Sequence, residues 1–195
     1  MKILYLLHTD WNWIKQRSQF LAENLSNTTD ITVAYKFSFK RGSLVKNRSN
    51  IKLIPCFFLP FSLRVISLLS FIDRKFWSLF FNKQIKSNKY DLVIVTHPLL
   101  YDYVKSSGLP VIYDCHDDNA EFYKDGKLKE LIQKKNTKIL EDSKLNIFSS
   151  NMLKTKYEKG DQNILVRNGH NLDLSKRITR SKREKNNYQK NIIYF

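Results

Sequence analysis

The sequence predicts an α/β protein built on a Rossmann-like, doubly wound parallel sheet. Short apolar runs with polar ends recur along the chain, and such runs are typical of strands buried on both faces. Segments with helical spacing separate them. Strands that alternate with helices form βαβ units and therefore a parallel sheet. The length of 195 residues suits one well-buried domain with an extension.

The first third of the chain predicts two strands with a helix between them. Residues 1–7, MKILYLL, form a continuous apolar run, and residues 31–35, ITVAY, form the next. Between them, residues 12–26 place Ile14, Leu21 and Leu25 on one side of a helix. This order is the opening β-α-β unit of the predicted sheet.

The second half of the sequence continues the alternation. Strands are predicted at 91–98, 109–115, 144–150 and 162–169, and helices near 99–107, 127–141 and 150–158. We therefore predict one domain over residues 1–170, followed by a linker over 171–190. Residues 176–190 carry seven basic side chains and one acid with almost no apolar content, as a solvated linker does.

The net charge of +16 predicts a polyanionic partner or surface. Nucleic acid, acidic lipid and phosphorylated ligands all qualify. Because of this charge, a basic nucleic-acid-binding protein is an alternative. Nucleic acid is nevertheless not the expected partner, because the sequence shows no helix-turn-helix or RNA-binding signature. No secretory segment precedes Cys56 and Cys115, which indicates reduced thiols in a cytosol.

Polar side chains follow the predicted strands and should meet at one edge of the sheet, where ligands bind in such folds. The residues placed there are His8, Asp10, His97, His116, Asp117 and Asn168. Each has a structural alternative: Asp10 as a helix cap, His97-Pro98 as a strand stop, and Asn168-Gly169 as a turn. The first loop lacks G-x-G-x-x-G, which disfavours a nicotinamide dehydrogenase.

The stretch DCHDD, residues 114–118, crowds Asp114, His116, Asp117 and Asp118 together, which a purely structural loop would rarely need. Carboxylates close to His116 favour acid–base chemistry by that imidazole. An Asp-rich helix start is the structural alternative. A metal site is disfavoured, because the spacing matches no defined metal motif and residues 111–123 contain no DxD triplet.

Residues 51–86 form a second unusual region, rich in apolar side chains. Pro55, Pro60 and Arg64 interrupt it, so we do not expect it to cross a bilayer. Beyond Arg64 it predicts a helix, either packed in the core or lying at an anionic membrane surface. The membrane-contact residues predicted for the second case are Arg74, Lys75, Trp77, Phe81 and Lys83.

Three stretches carry a family resemblance. They are DWNWIKQRSQFLAENLS at 10–26, PVIYDCHDD at 110–118, and the passage from LEDSKLNIFSSNMLKTKY at 140–157 to ILVRNGHNLDL at 164–174. In this order they resemble the amino-terminal domain of group 1, or family 4, glycosyltransferases, which have the two-domain GT-B architecture.

The resemblance implies transfer of a sugar from a nucleotide-diphosphate-sugar donor to a cell-envelope glycan or lipid-linked acceptor, with no further cofactor. It assigns His116 and Asp117 to catalysis. It assigns the following residues to substrate binding: Asp10, Trp11, Arg17, His97, Asp118 and Asn168. The first domain would shape the acceptor side, in the cytoplasm or at the inner face of the cell membrane.

The sequence also departs from the family pattern. The loop HTDWNW has no glycine, which puts phosphate contact by that loop in doubt. Residues 191–195, NIIYF, resemble the first strand of a second domain that would hold the donor, so we expect the 195-residue chain to be inactive alone. A catalytically inactive remnant that acts as a peripheral membrane module is the other alternative.

Overall fold

The computed structural model describes residues 1–38, 51–158 and 160–169. Its strands are β1 (Lys2–Leu7), β2 (Asp30–Lys36), β3 (Lys52–Cys56), β4 (Leu92–Val95), β5 (Val111–Cys115), β6 (Leu145–Phe148) and β7 (Asn163–Leu165). Its helices are α1 (Arg17–Leu25), α2 (Ser67–Asn88), α3 (Pro98–Tyr101), α4 (Lys127–Asp142) and α5 (Asn151–Tyr157), with a 3₁₀ turn at Phe61–Val65.

The strands form one sheet in the order β3-β2-β1-β4-β5-β6-β7, and every neighbouring pair is parallel. The predicted α/β, Rossmann-like fold class is therefore confirmed. The chain builds outward from β1 to β3 and then returns to build from β4 to β7. The direction of building reverses between β1 and β4, and such a switch point is where open α/β sheets bind ligands.

Both faces of the sheet are covered by helices. Along β1, Leu4 and Leu6 belong to a core shared with Trp77 and Phe81 of α2. Alternate residues of the same strand, Ile3, Tyr5 and Leu7, pack on the opposite face in a second core with Ala22 of α1. This alternation explains why residues 1–7 are apolar throughout.

Three elements differ from the prediction, and one of them is the helix predicted near 99–107, which is only the short α3, Pro98–Tyr101. α1 begins at Arg17, because residues 10–13 turn, with the Trp13 N–H donating to the Asp10 carbonyl at 3.2 Å, and Gln16 then caps the helix in a capping box with Gln19. β3 was hidden in the apolar 51–86 region. Its Pro55 is tolerated because β3 is an edge strand in the described sheet.

Helix α2 corrects part of the predicted membrane-contact set. Trp77 and Phe81 are 8% and 0% exposed and pack in the core, so the prediction that they contact lipid is wrong. Arg74 is half-buried, with its Nε donating to the Ser70 carbonyl at 3.1 Å, whereas Lys75 and Lys83 are exposed. Within the described part of the chain, no helix is both long and apolar enough to cross a membrane.

Two further predictions from the sequence concern the carboxyl-terminal residues and the two cysteines. The predicted linker over 171–190 and the strand over 191–195 lie outside the described residues. Cys56 and Cys115 are free and buried, and burial raises the pKa of each thiol to about 12.

Candidate functional site

Three histidine rings lie together at the carboxyl edge of the sheet. His8 follows β1, His97 follows β4 and His116 follows β5, so each ring comes from a different strand beside the switch point. The His8 ring centroid lies 5.1 Å from that of His97 and 5.7 Å from that of His116. The described residues contain no group of three or more His, Cys, Asp or Glu side chains arranged to hold a metal ion.

Hydrogen bonds fix the proton position on His8. The Thr96 hydroxyl donates its proton to the Leu6 carbonyl at 3.1 Å, so its oxygen acts as an acceptor toward His8 Nδ1 at 3.0 Å. The Nδ1 atom therefore carries the ring hydrogen. Burial, followed by the nearby charges of His116 and Lys36, lowers the pKa of His8 to about 3. The ring is neutral at physiological pH.

His97 is both a helix cap and a wall of the site. Its Nδ1 accepts the Leu99 N–H at 3.1 Å and thereby caps α3. The Phe61 ring stacks on the imidazole with centroids 4.3 Å apart. Burial holds the pKa of His97 well below its usual value, with smaller contributions from His8 and Arg64. His97 therefore contributes a neutral, partly apolar surface.

His116 and Asp117 form a partly accessible ionisable pair at this edge. His116 Nδ1 lies 3.2 Å from the Asp114 carbonyl, which can only accept, so Nδ1 carries a hydrogen. The other ring nitrogen, Nε2, lies 3.5 Å from Asp117 Oδ2. The Asp117 side chain is 46% exposed, whereas the His116 side chain is 11% exposed. A proton can move between this pair and a bound hydroxyl.

Asp114 and Arg17 form a buried ion pair behind His116. Arg17 Nε donates to Asp114 Oδ1 at 3.1 Å, and the Tyr5 hydroxyl donates to Oδ2 at 3.1 Å. The two charged side chains are 7% and 1% exposed. Burial, followed by the Asp114 charge, raises the pKa of Tyr5, which keeps the hydroxyl protonated as a donor. The pair fixes the end of β5, from which His116 projects.

Arg17 also ties the start of α1 to the end of the sheet. Its Nη1 donates to the Val166 carbonyl at 2.7 Å and to Asn168 Oδ1 at 3.2 Å. Its buried Nη2 has no hydrogen-bond partner among the described residues. The structure thus places Arg17 and Asn168, both predicted as substrate-binding, in contact with each other beside Asp114.

Asp10 and Trp11 organise the first loop. The two Asp10 carboxylate oxygens accept the Asn12 N–H at 2.9 Å and the Ser38 N–H at 2.8 Å, and the residue is 4% exposed. Trp11 is partly buried against the core between the sheet and α1. Both predicted substrate-binding side chains are therefore engaged in folding the loop between β1 and α1.

Asp118 points away from the histidines. Its oxygens accept hydrogen bonds from Lys156 Nζ at 2.6 Å and from the Tyr157 hydroxyl at 2.7 Å, which joins the loop after β5 to α5. Within DCHDD, Asp114 and Asp118 therefore hold the backbone on either side of the His116–Asp117 pair.

Sequence reasoning missed a cation at this edge. Lys36 ends β2, and its Nζ lies 4.9 Å from the centroid of the Phe61 ring that stacks on His97. Burial, followed by the charge of Arg64, lowers the pKa of Lys36. The signal available in the sequence was a lysine directly after the apolar run ITVAY, at the position where the other site residues follow their strands.

Comparison with known proteins finds solved structures with a similar fold. No protein-family model matches the sequence, and no curated protein matches it. Among solved structures, sucrose-phosphate synthase from Thermosynechococcus elongatus superposes with a TM-score of 0.64 at 15% identity, over 89% of this chain and 50% of that one. The lipopolysaccharide outer core galactosyltransferase WaaB gives 0.58 at 13% identity, over 88% and 47%.

A third similar structure is UDP-N-acetylglucosamine 2-epimerase from Rickettsia bellii, with a TM-score of 0.56 at 12% identity, over 95% of this chain and 49% of that one. The chain thus spans about half the length of each of these three proteins. At this identity the likeness establishes the fold alone, which is an α/β, Rossmann-like fold of the GT-B kind.

Proposed function

We propose that this chain is the amino-terminal, acceptor-side part of a glycosyltransferase. The enzyme would move a hexosyl group from a nucleotide-diphosphate-sugar to a cell-envelope glycan or lipid-linked acceptor at the cytoplasmic face of a membrane. The observation that carries the proposal is the His116–Asp117 pair, held by Asp114 at the switch-point edge of a GT-B-like sheet.

Sugar transfer needs a group that manages the proton of the acceptor hydroxyl. Asp117 is half exposed beside His116 Nε2, so its carboxylate can accept that proton while His116 orients it. If the anomeric configuration is retained, His116 Nε2 would instead position the donor sugar. In either case Asp114, Arg17 and Tyr5 act as positioning residues for the loop that carries the pair.

The reaction also needs a surface that tolerates the negative charge of a leaving diphosphate. Lys36 puts positive charge at the same edge of the sheet, whereas the charge of Arg17 is paired with Asp114 inside the protein. His8 and His97 add uncharged ring surface, because the pKa of each imidazole is lowered. The edge therefore combines a proton-handling pair with a cation and ring faces, which suits a sugar with a charged leaving group.

The test is sugar transfer by the protein as its gene encodes it. Release of nucleoside diphosphate would be measured with a panel of nucleotide-sugars and a lipid extract as the acceptor source. We expect His116→Ala and Asp117→Asn each to reduce kcat by about a hundredfold or more. Asp125→Asn is the matched control, since Asp125 pairs with Lys129 and its side chain is 96% exposed.

Two results would overturn the proposal. The first is the absence of sugar-dependent nucleotide release with every donor in the panel. The second is full transfer activity in a folded His116→Ala, Asp117→Asn double variant.

A further inference from the structure

The outer side of α2 and of the 3₁₀ turn before it carries a contiguous apolar surface. The apolar residues of this surface are each between 39% and 69% exposed. They are Leu63, Val65, Ile66, Leu68, Leu69, Phe71, Ile72, Phe76 and Leu79. Within α2, Leu68, Ile72, Phe76 and Leu79 lie on the side of the helix opposite to the one that buries Trp77, Phe81 and Ile85. Contiguous exposed apolar patches of this kind are uncommon on monomeric proteins and mark an interaction site.

The charges around this surface are almost all positive. Residues 61–88 contain five cations, namely Arg64, Arg74, Lys75, Lys83 and Lys86, and one acid, Asp73. Lys75, Lys83 and Lys86 are exposed on the same side of the helix as Leu68, Ile72 and Leu79. A surface that mixes large apolar side chains with lysines is complementary to a layer with an apolar interior and anionic headgroups.

The single acid of the segment is withdrawn from that surface. Asp73 Oδ2 accepts hydrogen bonds from Arg64 Nη2 and from the Tyr103 hydroxyl, both at 2.7 Å, and Oδ1 accepts the Leu59 N–H at 3.2 Å. The Asp73 side chain is 8% exposed and that of Arg64 is 1% exposed. The only carboxylate of α2 is thereby neutralised inside the protein, and the outer side presents lysines alone.

We infer that the outer side of Phe61–Val65 and α2 docks on an anionic lipid surface. This inference does not depend on sugar transfer. The apolar side chains of α2 enter the interface between headgroups and acyl chains, and Lys75, Lys83 and Lys86 contact the headgroups. Phe61 and Arg64 on the inner side of the same turn contact His97 and the Leu99 carbonyl, so docking sets the candidate site next to the lipid surface.

The experiment is co-sedimentation of the 195-residue chain with vesicles of phosphatidylcholine containing about one quarter phosphatidylglycerol, and with pure phosphatidylcholine vesicles. We expect binding to the anionic vesicles that weakens as salt is raised. The variant Phe71→Ser, Phe76→Ser, Leu79→Ser should lose at least about tenfold in partition coefficient, because three apolar side chains no longer enter the lipid.

Two controls match these changes. Phe122→Ser with Met152→Ser removes side chains that are 70% and 74% exposed elsewhere on the protein, and it should bind like the wild type. Replacing Lys75, Lys83 and Lys86 by Gln should weaken binding by about fivefold per lysine. The same replacement at the exposed Lys124, Lys127 and Lys134 should have a much smaller effect.

Several outcomes would overturn the inference. They are equal binding to neutral and anionic vesicles, no binding to either, or unchanged binding in the folded serine variant. Should that variant fail to give the wild-type circular dichroism spectrum, the lysine variant decides the question alone. Analytical ultracentrifugation covers a different occupant: patch-dependent dimers without vesicle binding would assign the surface to a second copy of the chain.

Discussion

Replacing Asp114 by Asn tests whether the buried ion pair holds the candidate site together. The change keeps the shape of the side chain but removes its charge. In the wild type the two carboxylate oxygens accept from Arg17 Nε and from the Tyr5 hydroxyl, each at 3.1 Å. An amide offers one acceptor oxygen and one donor group, so one of these two donors must face an NH₂ group.

The magnitude follows from the burial of the pair. Arg17 is 7% exposed, so its guanidinium charge would be left without compensation in the interior. Breaking a buried pair from one side costs about 3–5 kcal/mol. Arg17 keeps its bonds to the Val166 carbonyl and to Asn168. We therefore expect a loss of about 3 kcal/mol in the free energy of unfolding, at the low end of that range.

Urea unfolding followed by tryptophan fluorescence measures this loss. A change of about 3 kcal/mol should lower the midpoint by about 1–2 M with the slope m unchanged. The exposed Asp125→Asn serves as the control and should leave the midpoint in place. The Arg17→Gln, Asp114→Asn double variant should recover part of the loss, because the two charges are coupled. A midpoint within about 0.5 M of the wild type in Asp114→Asn would refute the reasoning.

Three further predictions concern stability. Because the folded pKa of His8 is about 3 and that of His97 is also lowered, while an unfolded imidazole binds a proton below its ordinary value of 6.5, acidification below that value should destabilise the fold. Below pH 6.5 the free energy of unfolding should fall by about 1.4 kcal/mol per pH unit for each of the two rings. In urea titrations at several pH values, His8→Gln should remove the contribution of one ring from this slope, and an unchanged slope would contradict the lowered pKa of His8. Phe81→Ala should cost about 3–5 kcal/mol in the same assay, whereas the exposed Phe76→Ala should change stability by less than about 0.5 kcal/mol, and similar losses in both would contradict the packing of α2. Gly126 has φ +141°, so Gly126→Ala should lower the thermal midpoint, and an unchanged midpoint would argue against this backbone conformation.

The fold was predictable because its signals are local. Each strand of the second half is a short apolar run, and each run is followed by polar residues that begin a loop, so the β-α alternation can be read without long-range information. β3 escaped prediction because Pro55 and the apolar residues after it resemble a longer hydrophobic segment. Its edge position, which makes the proline tolerable, is a property of the whole sheet.

The position of the candidate site could be predicted from the sequence, but the hydrogen-bond partners of its side chains could not. The sequence predicted His8, His97 and His116 at one edge. In the structure the His8 ring centroid lies 5.1 Å from that of His97 and 5.7 Å from that of His116. Asp10 and Arg17 each have a partner far along the chain, Ser38 at 28 residues from Asp10 and Asp114 at 97 residues from Arg17. Hydrogen bonds over such separations leave no periodic signal, so side chains that hold loops were predicted to bind substrate.

Helix α2 shows a different limit of sequence reasoning. Its apolar residues occur on nearly all sides, so periodicity alone does not decide which side faces the core. The observed orientation buries Asp73, which would be costly without partners, and Arg64 and Tyr103 supply those partners. Once Asp73 is turned inward, Trp77 and Phe81 follow it into the core, and Phe71, Phe76 and Leu79 are left outside. The ion pair therefore stabilises the orientation that leaves the apolar side exposed, so Asp73→Asn should loosen the core packing and weaken vesicle binding together. A variant that lost one property and kept the other would separate the orientation of α2 from its lipid contact.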